Sequence, residues 1–319
     1  MGCDNNNDAE SVSVLSVSPA EQYVQDIATI EGSGLDQVQY VFVGQVESSF
    51  TVEGNTLSFE VPTAATLGKN VVTLAMKNNY RVTTEIGVLK KPIPAVKTIT
   101  PSAAAAGENV TIYGENLENV PQVKVDGVAA TVVSSTSTKL VFTVPVVSNN
   151  KISSEIEVKT TFGTITSTTK FYASKNLLLN SELELGSGDD FTNWGKWNGG
   201  AAMFATTAAG ESYYGRALKA TGDGRDAWRT QYVSDPVNTT IGSKYLVYMW
   251  IKGATGTGNM RFSTNASGGA AYGANINIST QWQQVTFEFT ANSAQTRVVL
   301  DMGATTTTFF VDNITMVAL

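Results

Sequence analysis

The sequence predicts an all-β protein, and three observations support this fold class. Hydrophobic residues make up 42% of the 319 residues, which is enough to build buried cores, while charged residues make up only 15%. Short segments rich in Val, Thr, Ile and Phe alternate with Gly, Asn and Ser, a pattern typical of strands and turns. No segment keeps a helical period of hydrophobic residues for more than about one turn.

The charge balance and the missing residue types exclude several kinds of function. A net charge of −7 argues against nucleic acid or an anionic lipid surface as a partner. Histidine is absent, which removes the most frequent general base and the commonest zinc ligand. Cys3 is the single cysteine, so the chain cannot form a disulfide framework. No apolar run approaches the roughly 18 residues that a membrane-spanning helix needs.

Residues 11–92 and residues 93–173 are predicted to be two copies of one domain. The matches recur at an offset of 82, which becomes 83 after a one-residue insertion. They comprise Pro19 and Pro101, Ile30 and Ile112, Gly32 and Gly114, Leu35 and Leu117, Leu57 and Leu140, Phe59 and Phe142, Val61 and Val144, and Pro62 and Pro145. The motifs Ile-x-Gly-x-x-Leu and Leu-x-Phe-x-Val-Pro in each copy resemble the IPT/TIG family. That resemblance implies two tandem immunoglobulin-like sandwiches, which commonly serve as spacers or interaction modules.

Residues 174–319 differ from the two copies because they contain all five Trp residues. Alternating hydrophobic residues predict strands that build one larger β-sandwich. The predicted strands are residues 245–251, 259–263, 283–290, 296–302 and 308–314.

The order of motifs in this segment resembles the jelly-roll carbohydrate-binding modules of families 4 and 22. These motifs are residues 176–184, 215–219, 242–245, 282–289 and 310–314. The resemblance implies a β-jelly-roll that binds sugar in a cleft walled by aromatic residues. Trp228 has two arginines and two aspartates within five residues. A half-exposed Trp among polar groups suits a pyranose ring, although such a Trp also fits the end of a core strand.

The resemblance places the main stacking aromatic at Trp228 and a polar contact at Gln231. In a regular strand these two side chains would face opposite ways, so both can serve only if a bulge or the strand start intervenes. Tyr272 is the candidate for the opposite wall, and Trp197 is a second stacking candidate on a loop. The further polar candidates are Arg229, Arg261, Asn265 and Asp301. We expect Trp250 and Trp282 in the core and Trp194 in the core or on the cleft floor.

The same resemblance implies a structural calcium ion where the first and last strands of the jelly roll meet. Glu184 and Asp312 would supply side-chain oxygens, and main-chain carbonyls near Glu182 and Arg216 would add to them. A hard cation takes six or more oxygen ligands, which suits carboxylates brought together from distant strands. The alternative is that Glu184 and Asp312 are surface residues or pair with Arg216.

The first residues resemble the mature start of a bacterial lipoprotein, with Cys3 as the lipidated residue and residues 1–10 as a tether. The alternative is an incidental cysteine beside a cloning remnant. With the three domains, the chain resembles the surface glycan-binding lipoproteins of Bacteroidetes that are encoded with SusC/SusD-like importers, in the SusE/SusF position. This implies a monomer at the outer-membrane surface, anchored only through lipid, that captures β-glucan or else xylan for the importer.

Two other functions stay open at this point. A structural or adhesive surface protein is the main alternative, although a spacer has no use for exposed Trp. A polysaccharide hydrolase would need two carboxylates placed across one bond, and Asp223, Asp226 and Asp301 are the residues that could form such a pair. We therefore predict a non-catalytic protein.

Overall fold

The computed structural model describes residues 12–77, 79–148, 153–198, 204–208 and 211–319. The all-β prediction is confirmed, since the only helical elements in these ranges are short 3-10 turns. The chain separates into two compact units, residues 1–92 and residues 93–319. The predicted lipidation residue Cys3 and the tether lie outside the described residues.

The first unit is a sandwich of two sheets in which nearly all neighbouring strands are antiparallel. One sheet has the order β1-β3-β7-β6 and the other has the order β2-β9-β8-β4-β5, with β2 parallel to β9. The strands are β1 (Ser13–Ser18), β2 (Glu21–Tyr23), β3 (Ile27–Ser33), β4 (Val38–Val43), β5 (Val46–Ser48), β6 (Phe50–Glu53), β7 (Thr56–Glu60), β8 (Gly68–Met76) and β9 (Arg81–Leu89). Alternate residues of β3, β4, β7 and β8 fill the core between the sheets.

The second unit begins with a smaller sandwich in which strands pair in the order β10-β11-β14-β13-β12-β15-β16. The strands are β10 (Ala95–Thr100), β11 (Asn109–Glu115), β12 (Gln122–Val125), β13 (Val128–Ser135), β14 (Lys139–Thr143), β15 (Ile156–Thr160) and β16 (Gly163–Thr166). Its core contains the residues that the repeat predicted, among them Ile112, Leu140, Phe142 and Val144.

The rest of the second unit is a sandwich with a separate and larger core. One sheet has the order β19-β22-β28-β25-β26, with β23 paired to β28, and the other has the order β20-β21-β29-β24-β27. The strands are β17 (Gly186–Ser187), β18 (Asp190–Phe191), β19 (Trp194–Trp197), β20 (Phe204–Thr206), β21 (Leu218–Thr221), β22 (Gln231–Ser234), β23 (Val237–Asn238), β24 (Lys244–Gly253), β25 (Gly258–Asn265), β26 (Ile276–Ile278), β27 (Gln283–Thr290), β28 (Gln295–Asp301) and β29 (Thr308–Ala318).

The two sandwiches of the second unit share an aromatic interface. The rings of Tyr172 and Tyr248 lie 4.6 Å apart, and those of Tyr113 and Tyr214 stack at 4.5 Å with their hydroxyls hydrogen-bonded. The contact buries a small hydrophobic cluster: Ala103, Tyr172, Leu246, Tyr248 and Val317. The outer side of β24 therefore packs against the second immunoglobulin-like sandwich and is not available to a ligand.

The prediction that Trp250 and Trp282 lie in the core is wrong. Met249 and Ile251 fill the core, so Trp250 between them points to the outer side of its sheet, where it is half-buried. Tyr213 stacks on the Trp250 ring at 4.3 Å and meets the Trp282 ring edge-on at 5.5 Å. Trp194 does lie in the core, stacked at 5.3 Å on Tyr232.

The repeat in the sequence is also a repeat in backbone geometry. Strands β1 and β10 each carry a register shift at the same place, opposite Gly32 and Gly114 respectively. A Cβ on Gly32 would lie 2.0 Å from the carbonyl oxygen of Ser13, and a Cβ on Gly114 would lie 1.8 Å from that of Ala95. Glycine is therefore required at both positions because the neighbouring strand occupies the space of a side chain.

We expect Gly114→Ala to destabilise the protein by about 1–3 kcal/mol or more, because the added methyl group overlaps a main-chain carbonyl that cannot move without breaking the sheet. Denaturant unfolding measures the change. Gly256→Ala is the matched control, because its Cβ would meet no atom closer than 3.9 Å. Equal stability of the two variants would contradict the argument.

Candidate functional site

One sheet of the terminal sandwich presents a row of polar residues away from the core. Tyr232, Phe262 and Leu300 are fully buried in the core. Their strand neighbours Gln231, Arg261 and Asp301 must point to the other side, because side chains alternate along a strand. Asp301 lies directly between Gln231 and Arg261 in the strand register.

We call this side of the β19-β22-β28-β25-β26 sheet the aromatic face. Among the described residues, it carries Trp197, Gln231, Val233, Arg261, Ser263, Asn265, Tyr272, Arg297, Val299 and Asp301. Trp197 pairs with Gln231 at one edge of the sheet, and Tyr272 forms a bridge to Ser263 towards the other edge. The turn that contains Trp228 borders this face, because its main chain is bonded to Asn198 and Gly303. Trp197, Trp228 and Tyr272 are 38%, 48% and 64% exposed.

The sequence suggested that Trp228 lies at the edge of a strand, but the structure places it elsewhere. It lies in a 3-10 turn, Ala227–Arg229, directly before strand β22. This turn removes the difficulty with Gln231, since the two residues do not belong to one regular strand. Gly303 holds the turn close: its N–H donates to the carbonyl of Ala227, and a Cβ on it would lie 2.4 Å from the Asp226 carbonyl oxygen.

A buried carboxylate organises the polar groups of this face. The side chain of Asp301 is fully buried, and it accepts hydrogen bonds from Gln231 Nε2 at 2.6 Å and Arg261 Nε at 3.0 Å. Gln231 Oε1 in turn accepts from Asn198 Nδ2 at 2.9 Å, and the same Asn198 amide donates to the carbonyl of Trp228 at 3.2 Å. Asp301, which the sequence suggested as a ligand contact, therefore positions other side chains from below the surface.

The remaining predicted polar residues border the same face. Arg229 donates from Nε to Asp223 at 2.6 Å, next to the Trp228 ring. Asn265 pairs with Arg297 in the register of β25 and β28 and is exposed at the end of the face away from Asp301. Half-buried and exposed donors thus surround the three aromatic rings.

Sequence reasoning missed the residues between the aromatics. Val233 and Val299 are cross-strand neighbours on the aromatic face, and both are buried there without belonging to the core cluster. Period-2 alternation against Tyr232 and Leu300 could have identified them as an apolar floor. Asn198 could not be found from local pattern, because its partners Trp228 and Gln231 lie about 30 residues away in the sequence.

The acidic residues proposed for calcium lie close together. Glu184 Oε1 accepts from the main-chain N–H of Arg216 at 2.9 Å, and Asp312 Oδ2 accepts from that of Tyr214 at 2.9 Å. A Cβ on Gly215 would lie 2.1 Å from Glu184 Oε1, so glycine makes room for the carboxylate. The guanidinium of Arg216 donates to main-chain carbonyls, to that of Gly188 at 2.9 Å and to that of Glu184 at 3.5 Å.

The negative charges of this acidic cluster would be stabilised by a cation. The number of acidic side chains arranged there is too small to form a metal site on its own. Burial raises the pKa of Asp312 well above its usual range, and neighbouring Glu184 and Glu182 raise it further against two main-chain hydrogen bonds. Burial likewise raises the pKa of Glu184. Among the described residues, no group of three or more His, Cys, Asp or Glu is arranged to hold a metal ion. Main-chain oxygens would have to complete the coordination.

The carboxylates near Trp228 do not have the environment of a glycosidase acid pair. The hydrogen bond from Arg229 holds the pKa of Asp223 below its usual value, whereas a general acid needs a raised pKa. Asp301 is buried and fully engaged with Gln231 and Arg261. The arrangement is suited to holding polar side chains in place and not to protonating a leaving group.

The chain is similar to known proteins in sequence and in structure. Residues 94–173 match the IPT/TIG domain family, which confirms that resemblance for the second copy. No curated protein sequence matches the chain. Within the part of the chain that the structure covers, no helix has the length and apolar character that a membrane crossing requires.

Surface glycan-binding proteins are among the structural neighbours. One from Prevotella bryantii is 15% identical, with a TM-score of 0.33 over 97% of this chain and 99% of its own. SGBP-B from a complex xyloglucan utilization locus in Bacteroides uniformis is 15% identical, with a TM-score of 0.34 over 97% and 100%. The CBM22-1 xylan-binding domain of Paenibacillus barcinonensis Xyn10C is 15% identical, with a TM-score of 0.34 over 43% and 90%. Likeness this distant does not assign a ligand.

We expect Asp301→Ala to destabilise the protein by about 2–3 kcal/mol, because it leaves Gln231 and the partly buried Arg261 without their common acceptor. Denaturant unfolding checks this value. Glu288→Ala, an exposed position in the same sandwich, is expected to change the stability by no more than about 0.5 kcal/mol. If both substitutions have the same small effect, Asp301 does not organise the face.

Proposed function

We propose that this protein binds polysaccharide without catalysis, through the aromatic face of its terminal sandwich. The observation that carries the proposal is that Trp197 and Tyr272 lie on one face, with Trp228 in the turn that borders it, and that each of the three is substantially exposed. Exposed aromatic rings cost free energy in water, so three of them around one surface indicate a ligand that covers them.

The chemistry of the face suits a sugar chain. The C–H faces of pyranose rings pack on aromatic rings such as those of Trp197, Trp228 and Tyr272. Hydroxyl groups along the rim of the sugar need planar donors and acceptors, which Gln231, Asn198 and Arg261 supply in fixed orientations. Because these groups are already held by hydrogen bonds, little conformational entropy is lost on binding.

The proposed ligand class is β-glucan, such as β-1,3 or mixed-linkage glucan, with xylan as the second candidate. The proposed place of action is the cell surface, where a lipid on Cys3 would anchor the protein. The two immunoglobulin-like sandwiches would then hold the terminal sandwich away from the membrane, near a SusC/SusD-like importer. The 21 Lys and Arg residues are outnumbered by 28 Asp and Glu residues, and the resulting net charge of −7 argues against an anionic polymer such as nucleic acid as the partner.

We expect Trp228→Ala to weaken polysaccharide binding at least about fivefold, because one stacked ring is worth about 1–3 kcal/mol. Retardation in native gels that contain mixed-linkage β-glucan, β-1,3-glucan, xylan or xyloglucan measures the affinity. The reducing ends of each polymer, counted before and after incubation, are expected to stay constant.

Tyr40→Ala is the matched control for this experiment. Tyr40 is 50% exposed, as Trp228 nearly is, but it lies in the first immunoglobulin-like sandwich. Unchanged retardation of Trp228→Ala would show that the aromatic face is not the binding site. New reducing ends would replace the binding proposal with a hydrolase.

We also propose that calcium stabilises the acidic cluster of Glu182, Glu184 and Asp312. A bound cation would offset the mutual repulsion of the carboxylates and the burial of Asp312. The carboxylates of Glu184 and Asp312, together with main-chain oxygens near Glu182 and Arg216, would supply the ligands. The ion would stabilise the sandwich and would not touch the sugar.

Removal of calcium with EDTA is expected to lower the melting temperature by about 5 °C or more, because an ion bound only by the folded state stabilises it by mass action. Differential scanning calorimetry with and without added CaCl₂ measures the shift. Asp312→Asn should abolish the dependence on calcium. Identical melting curves of the wild-type protein in EDTA and in calcium would contradict the proposal.

A further inference from the structure

Each exposed aromatic ring of the aromatic face has an arginine beside it. The guanidinium carbon of Arg261 lies 4.8 Å from the centroid of the Tyr272 ring. The corresponding distances are 5.8 Å from Arg229 to Trp228 and 5.8 Å from Arg297 to Trp197. All three distances are within the range of about 6 Å in which a cation is attracted to a ring. Arginines beside stacking platforms could attract either neutral or acidic sugars, so their own charge partners decide the preference.

Every one of these arginines has an aspartate partner. Arg229 pairs with Asp223 at 2.6 Å and Arg261 with the buried Asp301 at 3.0 Å. Arg297 is the third, with Asp235 at 3.7 Å and a hydrogen bond to the carbonyl of Ser234 at 2.8 Å. The positive charge beside each ring is thus compensated within the protein.

The remaining charges near the face also balance. Arg225 and Asp226 are adjacent and exposed on the segment that leads into the Trp228 turn. The negative charge of Asp226 stabilises the charged form of Arg229, and the positive charge of Arg225 stabilises the charged form of Asp223. The neighbouring stretches 199–203 and 209–210 contain no charged residue in the sequence. The charged residues on and beside the aromatic face are therefore four arginines (Arg225, Arg229, Arg261 and Arg297) and four aspartates (Asp223, Asp226, Asp235 and Asp301). The net charge of the whole protein is −7.

We propose that the aromatic face selects neutral polysaccharides and rejects polysaccharides that carry carboxylate or sulfate groups. This inference rests on the proposed function. The arginines act as rigid hydrogen-bond donors that hold the aromatic rings, and they do not act as anion receptors. The aspartates are the specificity-determining residues, because they occupy the positions that an acidic sugar would need.

The energetics of the Arg261–Asp301 pair show why an acidic sugar is rejected. A ligand carboxylate that takes Arg261 as its partner competes with Asp301, which has no exposure to water and accepts a hydrogen bond from Arg261 Nε. Weakening that bond leaves a buried carboxylate less well compensated. A ligand carboxylate that leaves the pair intact meets, beside each ring, an arginine whose charge an aspartate already matches, and that aspartate repels it. Neutral hydroxyls face neither cost.

Binding to matched neutral and acidic polymers tests this inference. The neutral probes are mixed-linkage β-glucan, xyloglucan and hydroxyethyl cellulose, and the acidic probes are carboxymethyl cellulose, polygalacturonate and alginate. We expect the wild-type protein to bind its best acidic probe at least about tenfold more weakly than its best neutral probe. Raising NaCl from about 0.05 M to about 0.5 M should change the affinity for the neutral probe by less than about twofold, because no ion pair with the ligand is screened.

A single charge removal should shift this preference. Asp223→Asn removes the carboxylate that pairs directly with Arg229 beside Trp228, and both side chains of this pair are partly exposed, so the variant is expected to fold. We expect the ratio of acidic to neutral affinity to rise at least about fivefold in this variant, and to fall again at high salt. Glu211→Gln is the control: it removes the same charge from a pair with Lys219 on the other sheet and should leave the ratio unchanged.

The outcomes separate this inference from the proposed function. Wild-type protein that binds an acidic probe as tightly as any neutral probe overturns the selectivity, while glycan binding stands. An unchanged ratio in Asp223→Asn shows that the aspartate does not set the preference and also overturns it. Failure of all six polymers, and also of β-1,3-glucan and xylan, to bind contradicts the proposed function itself, and the inference with it.

Discussion

The buried carboxylate of Asp301 is the interaction on which the arrangement of the aromatic face depends. It lies at the end of β28, between β22 and β25, and bonds to one side chain from each. A charge without exposure to water is stable only when both oxygens have partners. Gln231 and Arg261 are therefore held in single orientations, and through Asn198 this order extends to the main chain of Trp228. Strands β22, β25 and β28 and the turn of Trp228 are thus connected through hydrogen bonds that start at Asp301.

The scaffold behind the face is held by packing of a different kind. The opposite sheet places Tyr248, Leu246 and Val317 against the second immunoglobulin-like sandwich, so the two sandwiches share a small hydrophobic cluster. Tyr214 adds a stacked pair with Tyr113. Part of the outer side of this sheet is thus covered by the neighbouring sandwich, whereas the aromatic face lies on the opposite sheet.

The fold was predictable because its signals are local. The alternation of Val285, Phe287 and Phe289 appears in the core as predicted, since a strand with one buried face must alternate. Trp250 was misassigned for a related reason. Alternation specifies that it lies opposite Met249 and Ile251, but hydrophobic character alone places it in the core. Its true partner, Tyr213, comes from a loop whose position no local pattern specifies.

The sequence by itself determined the all-β class and the repeated domain, which follow from period, offset and composition. It named Trp197, Trp228 and Tyr272 as candidate stacking residues, and Trp228 was placed by the resemblance to carbohydrate-binding modules. The tertiary structure decided what surrounds those rings: the buried state of Asp301, the turn that carries Trp228 and the partner of each arginine. Asp223 is six residues from Arg229, but Asp301 is 40 residues from Arg261 and 70 from Gln231. Contacts over such separations arise from strand order and register, which only the folded chain establishes.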